Sequence, residues 1–242
     1  MSTSASPFDA PFDGPYDGPR LLRREEGPAS DRLFRIAFDV PLLTSEQEQA
    51  LPSYDQPRRG GIYVLAHDGQ LVSQLLVAHD QLKIHDAVTR VASIGGVGTH
   101  PDYRNRRLAG RLLEYAATAM VREGARIQLI SGTRSLYTYL GNVPQGRYHY
   151  FSIRVTADEL RPTANLVLRP MTPADAPLLA RLYHAEPVHY IRRHAAFADV
   201  LAHRGQDRYL HADARIVERG GEPVAYLFLG CPYGAEIGRA HV

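Results

Sequence analysis

This 242-residue sequence has a single cysteine, no long apolar run and almost equal numbers of basic and acidic residues. The single cysteine, Cys231, excludes an intrachain disulfide. No apolar run approaches the roughly 20 residues of a membrane span, and the first residues lack the basic start and apolar run of a leader peptide. We therefore predict a cytoplasmic protein with no membrane partner.

The charge balance and the histidines exclude further classes of protein. The 28 basic and 26 acidic residues leave a net charge of +2, so we predict no nucleic acid partner. The eleven histidines are scattered, and no pair has metal-ligand spacing with a supporting carboxylate, so we predict no metal. The hydrophobic content of 44% is sufficient for the core of one large domain or of two modest ones.

The most informative stretch is residues 91–122, VASIGGVGTHPDYRNRRLAGRLLEYAATAMVR. Its first residues, Val91 to Ile94, are typical of a buried strand. Gly95, Gly96 and Gly98 then remove the side chains that would keep a ligand away from the backbone. The pattern predicts a site for a flat, extended ligand at the end of this strand.

An amphipathic helix is predicted after the glycines. Its apolar residues recur at intervals of three and four, which places them on one core-facing side: Leu108, Leu112, Tyr115, Ala116, Ala119 and Met120. We expect the helix to begin near Arg106 and to end before Gly124, with Arg122 in the last turn, where a cation suits the helix dipole.

Four arginines surround the predicted start of this helix: Arg104, Arg106, Arg107 and Arg111. The first amides of the helix, from about Arg106 to Ala109, lack intrahelical acceptors. Together with the positive end of the helix dipole, they predict an anion site suited to a pyrophosphate. A solvated basic face and a nucleic acid phosphate site are the alternatives, and the nearly neutral remainder of the chain argues against the second.

The segment GTHPDYRNRRLAGRLL, residues 98–113, resembles the acetyl-CoA signature of the GNAT superfamily of N-acetyltransferases. In that pattern the helix begins with Gln or Arg, two residues, Gly, one residue, and Gly or Ala. Arg104 takes the first place, Leu108 and Ala109 the last two, and Arg107 stands where the family usually has glycine.

The following segments extend the resemblance. Arg126 to Ser131 (RIQLIS) alternates like a strand, and SLYTYLGNVPQGRYHYFSIRV is similar to the family's next helix and closing hairpin. Tyr137 and Gly141 fall on the tyrosine and the glycine of that helix, and Asn142 replaces the usual phenylalanine.

The resemblance implies a mixed α+β (α/β) fold, with a central mixed, mostly antiparallel sheet flanked by helices. It implies acetyl-CoA as co-substrate and acetyl transfer to a primary amine. We expect a small-molecule amine as acceptor, but residues 39–60 carry no readable motif, so a small amine, an aminoglycoside-like compound, a polyamine and a protein N-terminus all stay open. The implied residues around the pantetheine arm are Val97, Gly98 and Thr99. The implied residues around the pyrophosphate are Arg104, Asn105, Arg106, Arg107, Leu108, Ala109 and Gly110. Tyr137 is implied as the general acid, with a packing aromatic as the alternative.

The general base and the activity itself stay open. Ser93 could hold a water and His100 could titrate near neutrality, although a surface or capping histidine is the favoured reading of His100. A degenerate fold that binds acyl-CoA or acts as a regulatory module, without turnover, is the rival to the enzyme. Oligomer formation is also left open.

The chain divides into five predicted segments. Residues 1–18 carry the repeat PFDA, PFDG, PYDG and are expected to be a disordered tail. An acetyltransferase domain at 19–156 and a linker at 157–165 follow. A partial second copy of the domain occupies 166–235, and 236–242 (EIGRAHV) resembles the translated read-through of a sequencing adapter. We expect an exposed edge and poor solubility for 166–242.

Local signals predict the remaining elements. A first strand is expected from Leu21 to Arg24 and a short helix from Asp31 to Phe38. Asp68-Gly69 predicts a hairpin turn. In the second copy, Thr172, Pro173 and Asp175 predict a capped helix start. The two copies show the same landmarks in the same order: Leu22-Arg23 corresponds to Leu168-Arg169, and the Asp68-Gly69 turn corresponds to Gly220-Gly221, which predicts a second hairpin.

Overall fold

A computed structural model of the chain describes residues 14–42, 60–132, 134–145, 165–202 and 213–229. The chain divides into two compact units, Met1–Leu82 with Val88–Gly146 and Lys83–Ala87 with Arg147–Val242. The predicted closing hairpin beyond Gln145, the predicted linker except for Asn165, and the predicted tail at 236–242 lie outside the described residues.

The first unit is built on a sheet with strand order β1-β2-β3-β4-β5. The strands are β1 Tyr16–Leu21, β2 Gly60–His67, β3 Gln70–Ile84, β4 Ala87–Thr99 and β5 Ile127–Ile130. The helices are α1 Gly27–Ala37, α2 Leu108–Arg122 and α3 Ser135–Tyr139. β2 is antiparallel to β1 and to β3, whereas β4 and β5 are parallel. The predicted mixed α+β fold with a mostly antiparallel sheet is confirmed.

The predicted hairpin between β2 and β3 is confirmed. Asp68 and Gly69 both have positive φ, 49° and 78°. Two consecutive left-handed residues give a turn whose twist matches that of the flanking strands. The register therefore puts Val64, Leu65, Val72 and Leu75 in fully buried positions.

α2 packs on the sheet with the predicted face. Leu108, Leu112, Ala116 and Met120 are buried. The helix ends as predicted: Gly124 has φ 88°, and the amide of Ala125 donates to the carbonyl of Met120 at 2.9 Å. In the part of the chain that the structure describes, no helix is both long and apolar enough to cross a membrane.

The predicted first strand is placed incorrectly. β1 begins at Tyr16, inside the segment expected to be a tail, and ends at Leu21. The chain turns there because both terminal nitrogens of Arg20 donate to the Glu26 carboxylate at 2.8 Å, and the amide of Arg23 donates to the same carboxylate at 2.8 Å. This ion pair folds residues 22–26 into a turn and leads directly into α1.

The second unit has a three-stranded sheet with order β6-β8-β9. The strands of that sheet are β6 Leu166–Pro170, β8 Asp213–Arg219 and β9 Glu222–Leu229. The unit also contains the short strand β7 Val188–Tyr190, which is not part of this sheet, and the helices α4 Ala176–His184 and α5 His194–Ala202. The predicted capping residues are confirmed, because the amide of Thr172 donates to the Asp175 carboxylate at 2.8 Å. The hairpin at Gly220-Gly221 is confirmed as well.

The two units repeat the same local geometry. Arg169 donates to both oxygens of Asp175, at 3.0 and 2.7 Å, with the six-residue spacing of Arg20 and Glu26. The hairpins share a register shift at matching distances from their turns, between Leu65 and Ala66 and between Val217 and Glu218. By this spacing the Arg169 pair matches the Arg20 pair, whereas the sequence analysis aligned Arg169 with Arg23.

We predict that these two ion pairs make stability depend on pH below neutrality. Hydrogen bonding from Arg169 lowers the pKa of Asp175 to about 2, and that from Arg20 lowers the pKa of Glu26. The stabilisation is present above the unfolded-state pKa of about 4 and is lost as pH falls towards 2. Asp175→Asn should reduce the free energy of unfolding by about 2 kcal/mol at pH 7, measured by urea unfolding.

The matched control is Glu114→Gln, which changes an exposed carboxylate on α2. The difference between Asp175→Asn and the unmodified chain should shrink as pH falls from 4 to 2. A difference that stays constant over this range would contradict the assignment.

Candidate functional site

A cleft opens in the first unit where β4 and β5 stop pairing. Their parallel ladder runs from Val91 and Ile127 to Ile94 and Ile130. Beyond these residues, β4 and the segment that follows β5 separate around a solvent-open space of about 450 Å³. Its lining residues come from both sides of the separation and from α1 and α3: Phe38, Ile94, Gly95, Gly96, Val97, Ile130, Ser131, Gly132, Arg134 and Tyr137.

The missing side chains of the three glycines in β4 leave different surroundings. A Cβ on Gly95 would meet no atom within 4 Å, and Gly96 has φ 58°, so these two leave bare backbone beside the cleft, as predicted. A Cβ on Gly98 would lie 2.9 Å from the Cβ of Ala37 and 3.3 Å from Cε2 of Phe38. The absent side chain of Gly98 therefore makes room for the end of α1, and the implied backbone contact of Gly98 with the pantetheine arm stays a prediction.

The end of β4 is held by a buried hydroxyl. Ser73 on β3 is fully buried, and its Oγ donates to the carbonyl of Gly98 at 3.2 Å and lies 2.9 Å from Oγ1 of Thr99. Val97 and Thr99 are half-buried. Of the predicted pantetheine segment, Val97 lines the cleft, and Gly98 and Thr99 form the fixed strand end that follows it.

The loop between β4 and α2 has an unusual backbone. A single 3-10 turn, Pro101–Tyr103, is followed by two left-handed residues, Asn105 with φ 64° and Arg107 with φ 60°. α2 therefore begins at Leu108, two residues later than predicted. The position where the resembled motif has glycine is a position that requires positive φ, and Arg107 adopts it with its side chain exposed to solvent.

The helix start keeps the features of an anion site. The amides of Leu108, Ala109 and Gly110 are in the first turn of α2, where no intrahelical acceptor exists. The side chain of Leu108 itself is buried in the core, so only its backbone is available to a ligand.

The arginines do not act as one free cluster. Arg104 donates through Nε to the carbonyl of Thr99 at 3.4 Å and through Nη2 to that of Ala37 at 3.2 Å. Arg106 donates to the carbonyl of Asp102 at 3.1 Å, and its guanidinium carbon lies 4.8 Å from the ring centre of Tyr103. These contacts leave the positive charges in place, and the Arg104 bond joins the predicted pyrophosphate loop to the predicted pantetheine strand.

Tyr137 lies at the inner wall of the cleft. Tyr137 is 7% exposed. Gly132 lies against its ring, since a Cβ added to Gly132 would be 3.3 Å from Cε2 of Tyr137. The amide of Asn142 donates to the Tyr137 carbonyl at 2.9 Å, and that of Gly141 donates to the Thr138 carbonyl at 3.0 Å. This Schellman ending of α3, with Gly141 at φ 82°, fixes the backbone that carries Tyr137.

His100 occupies a capping position. Its Nδ1 accepts a hydrogen bond from the amide of Asp102 at 3.4 Å, which supports the capping interpretation of this histidine. The described residues that line the cleft include no carboxylate and no histidine. The general base is therefore still unassigned.

The sequence analysis did not assign five of the cleft residues to the site: Phe38, Ile130, Ser131, Gly132 and Arg134. Phe38 follows the last residue of α1 and is 40% exposed, and Arg134 precedes α3. An exposed aromatic at the end of an amphipathic helix was the available signal for Phe38. No pattern in the sequence distinguishes Arg134 from the other arginines, because its place depends on where β5 ends.

The fold and this cleft define a mixed α+β protein in which a pair of parallel strands separates and the first of them leads into an arginine-rich helix start. Residues 19–142 match the family model described as an acetyltransferase (GNAT) domain. The chain therefore belongs to the GNAT acetyltransferase family.

Two solved structures share the fold. A conserved protein of Enterococcus faecalis, described as a probable N-acyltransferase, is 16% identical with TM-score 0.61 over 86% of this chain and 53% of its own. A GCN5-related N-acetyltransferase of Kribbella flavida is 16% identical with TM-score 0.56 over 87% and 56%. This chain thus spans little more than half the length of either. No curated protein matches the chain significantly.

We predict that Arg107→Gly stabilises the first unit. A left-handed conformation costs an L-residue about 1–2 kcal/mol relative to glycine, and the larger entropy loss of glycine offsets part of this gain. The free energy of unfolding should rise by up to about 1 kcal/mol, measured by urea unfolding.

Arg106→Gly is the matched control, since the positive-φ residues of this loop are Asn105 and Arg107. It should lower stability. Equal destabilisation by both glycines would show that Arg107 is not held in the left-handed region.

Proposed function

We propose that the first unit transfers an acetyl group from acetyl-CoA to a primary amine of a small molecule. The observation that carries the proposal is the place where the β4–β5 ladder stops. At Ile94 and Ile130 the strands part into a cleft, and Tyr137 lies in its wall. The same β4 ends, at Thr99, in the loop that leads to the electropositive start of α2.

The residues present fit the shape and charge of the co-substrate. A thioester arm is narrow and extended, and the bare backbone at Gly95 and Gly96 allows its close approach. A diphosphate is an anion, and the amides from Leu108 to Gly110 together with Arg106 and Arg107 offer hydrogen bonds and positive charge. Bound in this way, the co-substrate would supply the activated acyl group.

The protein's chemical contribution is positioning and one proton. Amine attack on the thioester carbonyl carbon forms the C–N bond, and the C–S bond breaks. In our proposal Tyr137 donates its hydroxyl proton to the departing sulfur, and the proton released from the amine nitrogen returns to Tyr137 through solvent. Holding both reactants in line supplies most of the rate, so the absence of an assigned base does not prevent turnover.

The rival hypothesis of a binding module without turnover rests on two departures from the resembled family. Arg107 replaces the usual glycine, and the central strand β4 (VTRVASI) lacks the glutamate that family members often carry there. Arg107 keeps the backbone conformation of a glycine, and its side chain points to solvent. The substitution therefore leaves the cleft open, which supports the enzyme over the rival.

We also propose that the second unit is a partial second copy of the same domain. Its support is the repeated Arg–carboxylate pair at equal spacing and the repeated register shift of the two hairpins. A further correspondence is the bond from the Met171 amide to the Ala214 carbonyl at 2.9 Å, which matches the bond from Leu22 to Ile62 at 2.7 Å.

The function is tested with acetyl-CoA and a panel of primary amines. Calorimetry should give micromolar binding of acetyl-CoA, and free thiol should be released when an accepted amine is added. Tyr137→Phe should lower kcat by about 100-fold, because the leaving sulfur loses its proton donor, and should leave acetyl-CoA affinity unchanged.

Tyr139→Phe is the matched control. Tyr139 is on the same helix but is 85% exposed, so its loss of a hydroxyl should change nothing. Binding without thiol release would support the module, and full turnover by Tyr137→Phe would remove this tyrosine from the mechanism.

A further inference from the structure

Asn142 occupies a position that the proposed reaction does not yet explain. It stands two residues beyond the C-cap of α3, where the resembled motif has phenylalanine. A hydrophobic residue at this place in a Schellman ending usually packs on the residue that stands, in this helix, at Tyr137. Asn142 replaces that apolar contact with polar ones.

The side chain of Asn142 makes two hydrogen bonds in opposite directions. Its Nδ2 donates to the carbonyl of Tyr137 at 3.0 Å, and its Oδ1 accepts from Nε2 of Gln128 at 2.8 Å. A carbonyl only accepts, so the amide of Asn142 must face it with nitrogen, and both amide groups are then fixed in one orientation.

The same carbonyl also receives the backbone amide of Asn142, at 2.9 Å. Tyr137 thus has both carbonyl lone pairs occupied by one residue. Asn142 is hydrogen-bonded to Gln128 on β5, and Gln128 pairs in register with Ala92 on β4. A continuous polar connection therefore runs from the strands that form the cleft to the backbone of Tyr137.

We propose that Asn142, held by its hydrogen bond from Gln128, is a positioning residue that fixes where the Tyr137 hydroxyl lies in the cleft. The inference rests on the proposed role of Tyr137 as proton donor. α3 has only five residues and cannot define its own position firmly. Anchoring its end to β5 couples the tyrosine to the strand whose separation from β4 opens the site.

A helix cap that serves stability alone would behave differently from a positioning residue. Loss of a cap lowers the free energy of unfolding and, once the protein is folded, leaves kcat unchanged. Loss of positioning lowers kcat in the folded protein, and this effect exists only while the tyrosine hydroxyl is present. The two roles are separated by combining substitutions.

The experiment compares Asn142→Ala, Tyr137→Phe and the double variant in the full chain, with thiol release as the assay. Asn142→Ala should lower kcat about tenfold with little change in KM for acetyl-CoA, because the donor is misplaced while binding is intact. In the Tyr137→Phe background the same substitution should have no further effect. Gln128→Leu should lower kcat by a smaller factor, about threefold, since it loosens Asn142 without removing it.

Thr138→Ala is the control on the exposed face of α3 and should retain full activity. Unchanged kcat in Asn142→Ala, or an equal fall in the presence and absence of the Tyr137 hydroxyl, would overturn the positioning role. If Asn142→Ala fails to fold, the test uses Gln128→Leu instead. Its fall in kcat should then disappear in the Tyr137→Phe background, and an equal fall in both backgrounds would overturn the positioning role. Failure of the proposed function is read separately: an unmodified chain that releases no thiol removes both proposals. A fully active Tyr137→Phe variant removes the role of Tyr137 and with it the positioning role of Asn142, but leaves the acetyl-transfer activity standing.

Discussion

The end of the β4–β5 ladder at Ile94 and Ile130 is the constraint on which the site depends. Two parallel strands that stay paired would satisfy each other's backbone groups and leave no room between them. Because pairing stops while β4 continues to Thr99, its backbone groups beyond Ile94 border an open cleft. The rest of the first unit holds this separation in place: Ser73 fixes the end of β4, and the end of α1 packs against Gly98.

Backbone conformation, more than side-chain identity, shapes the start of α2, where we propose that the diphosphate binds. The loop after β4 uses left-handed residues at Asn105 and Arg107 to bring the chain into α2 at Leu108. Glycine adopts such conformations without a Cβ penalty. Arg107 shows that an L-residue can take the position when its side chain faces solvent. The arginine side chains then add charge, and Arg104 also ties the loop to the strand end.

Elements with strong local signals could be predicted from the sequence: the Asp68-Gly69 hairpin, the apolar face of α2 and the Thr172 cap. The errors arose where a single contact or backbone conformation, which leaves no periodic pattern in the sequence, sets the end of an element. Arg20 pairs with Glu26, six residues later, at the end of β1, and α2 begins only after the left-handed Arg107. Phe38 and Arg134 enter the cleft through tertiary folding, which no periodicity records.

The central claim is that one extended ligand spans the bare segment of β4 and the start of α2 together. Amide hydrogen exchange with and without coenzyme A tests it directly, because the two segments are separated by the Pro101–Tyr103 turn and report independently. The account predicts that exchange slows both at residues 95–99 and at residues 108–110 when coenzyme A is added. Protection of only one segment, or of neither while coenzyme A is bound, would contradict it.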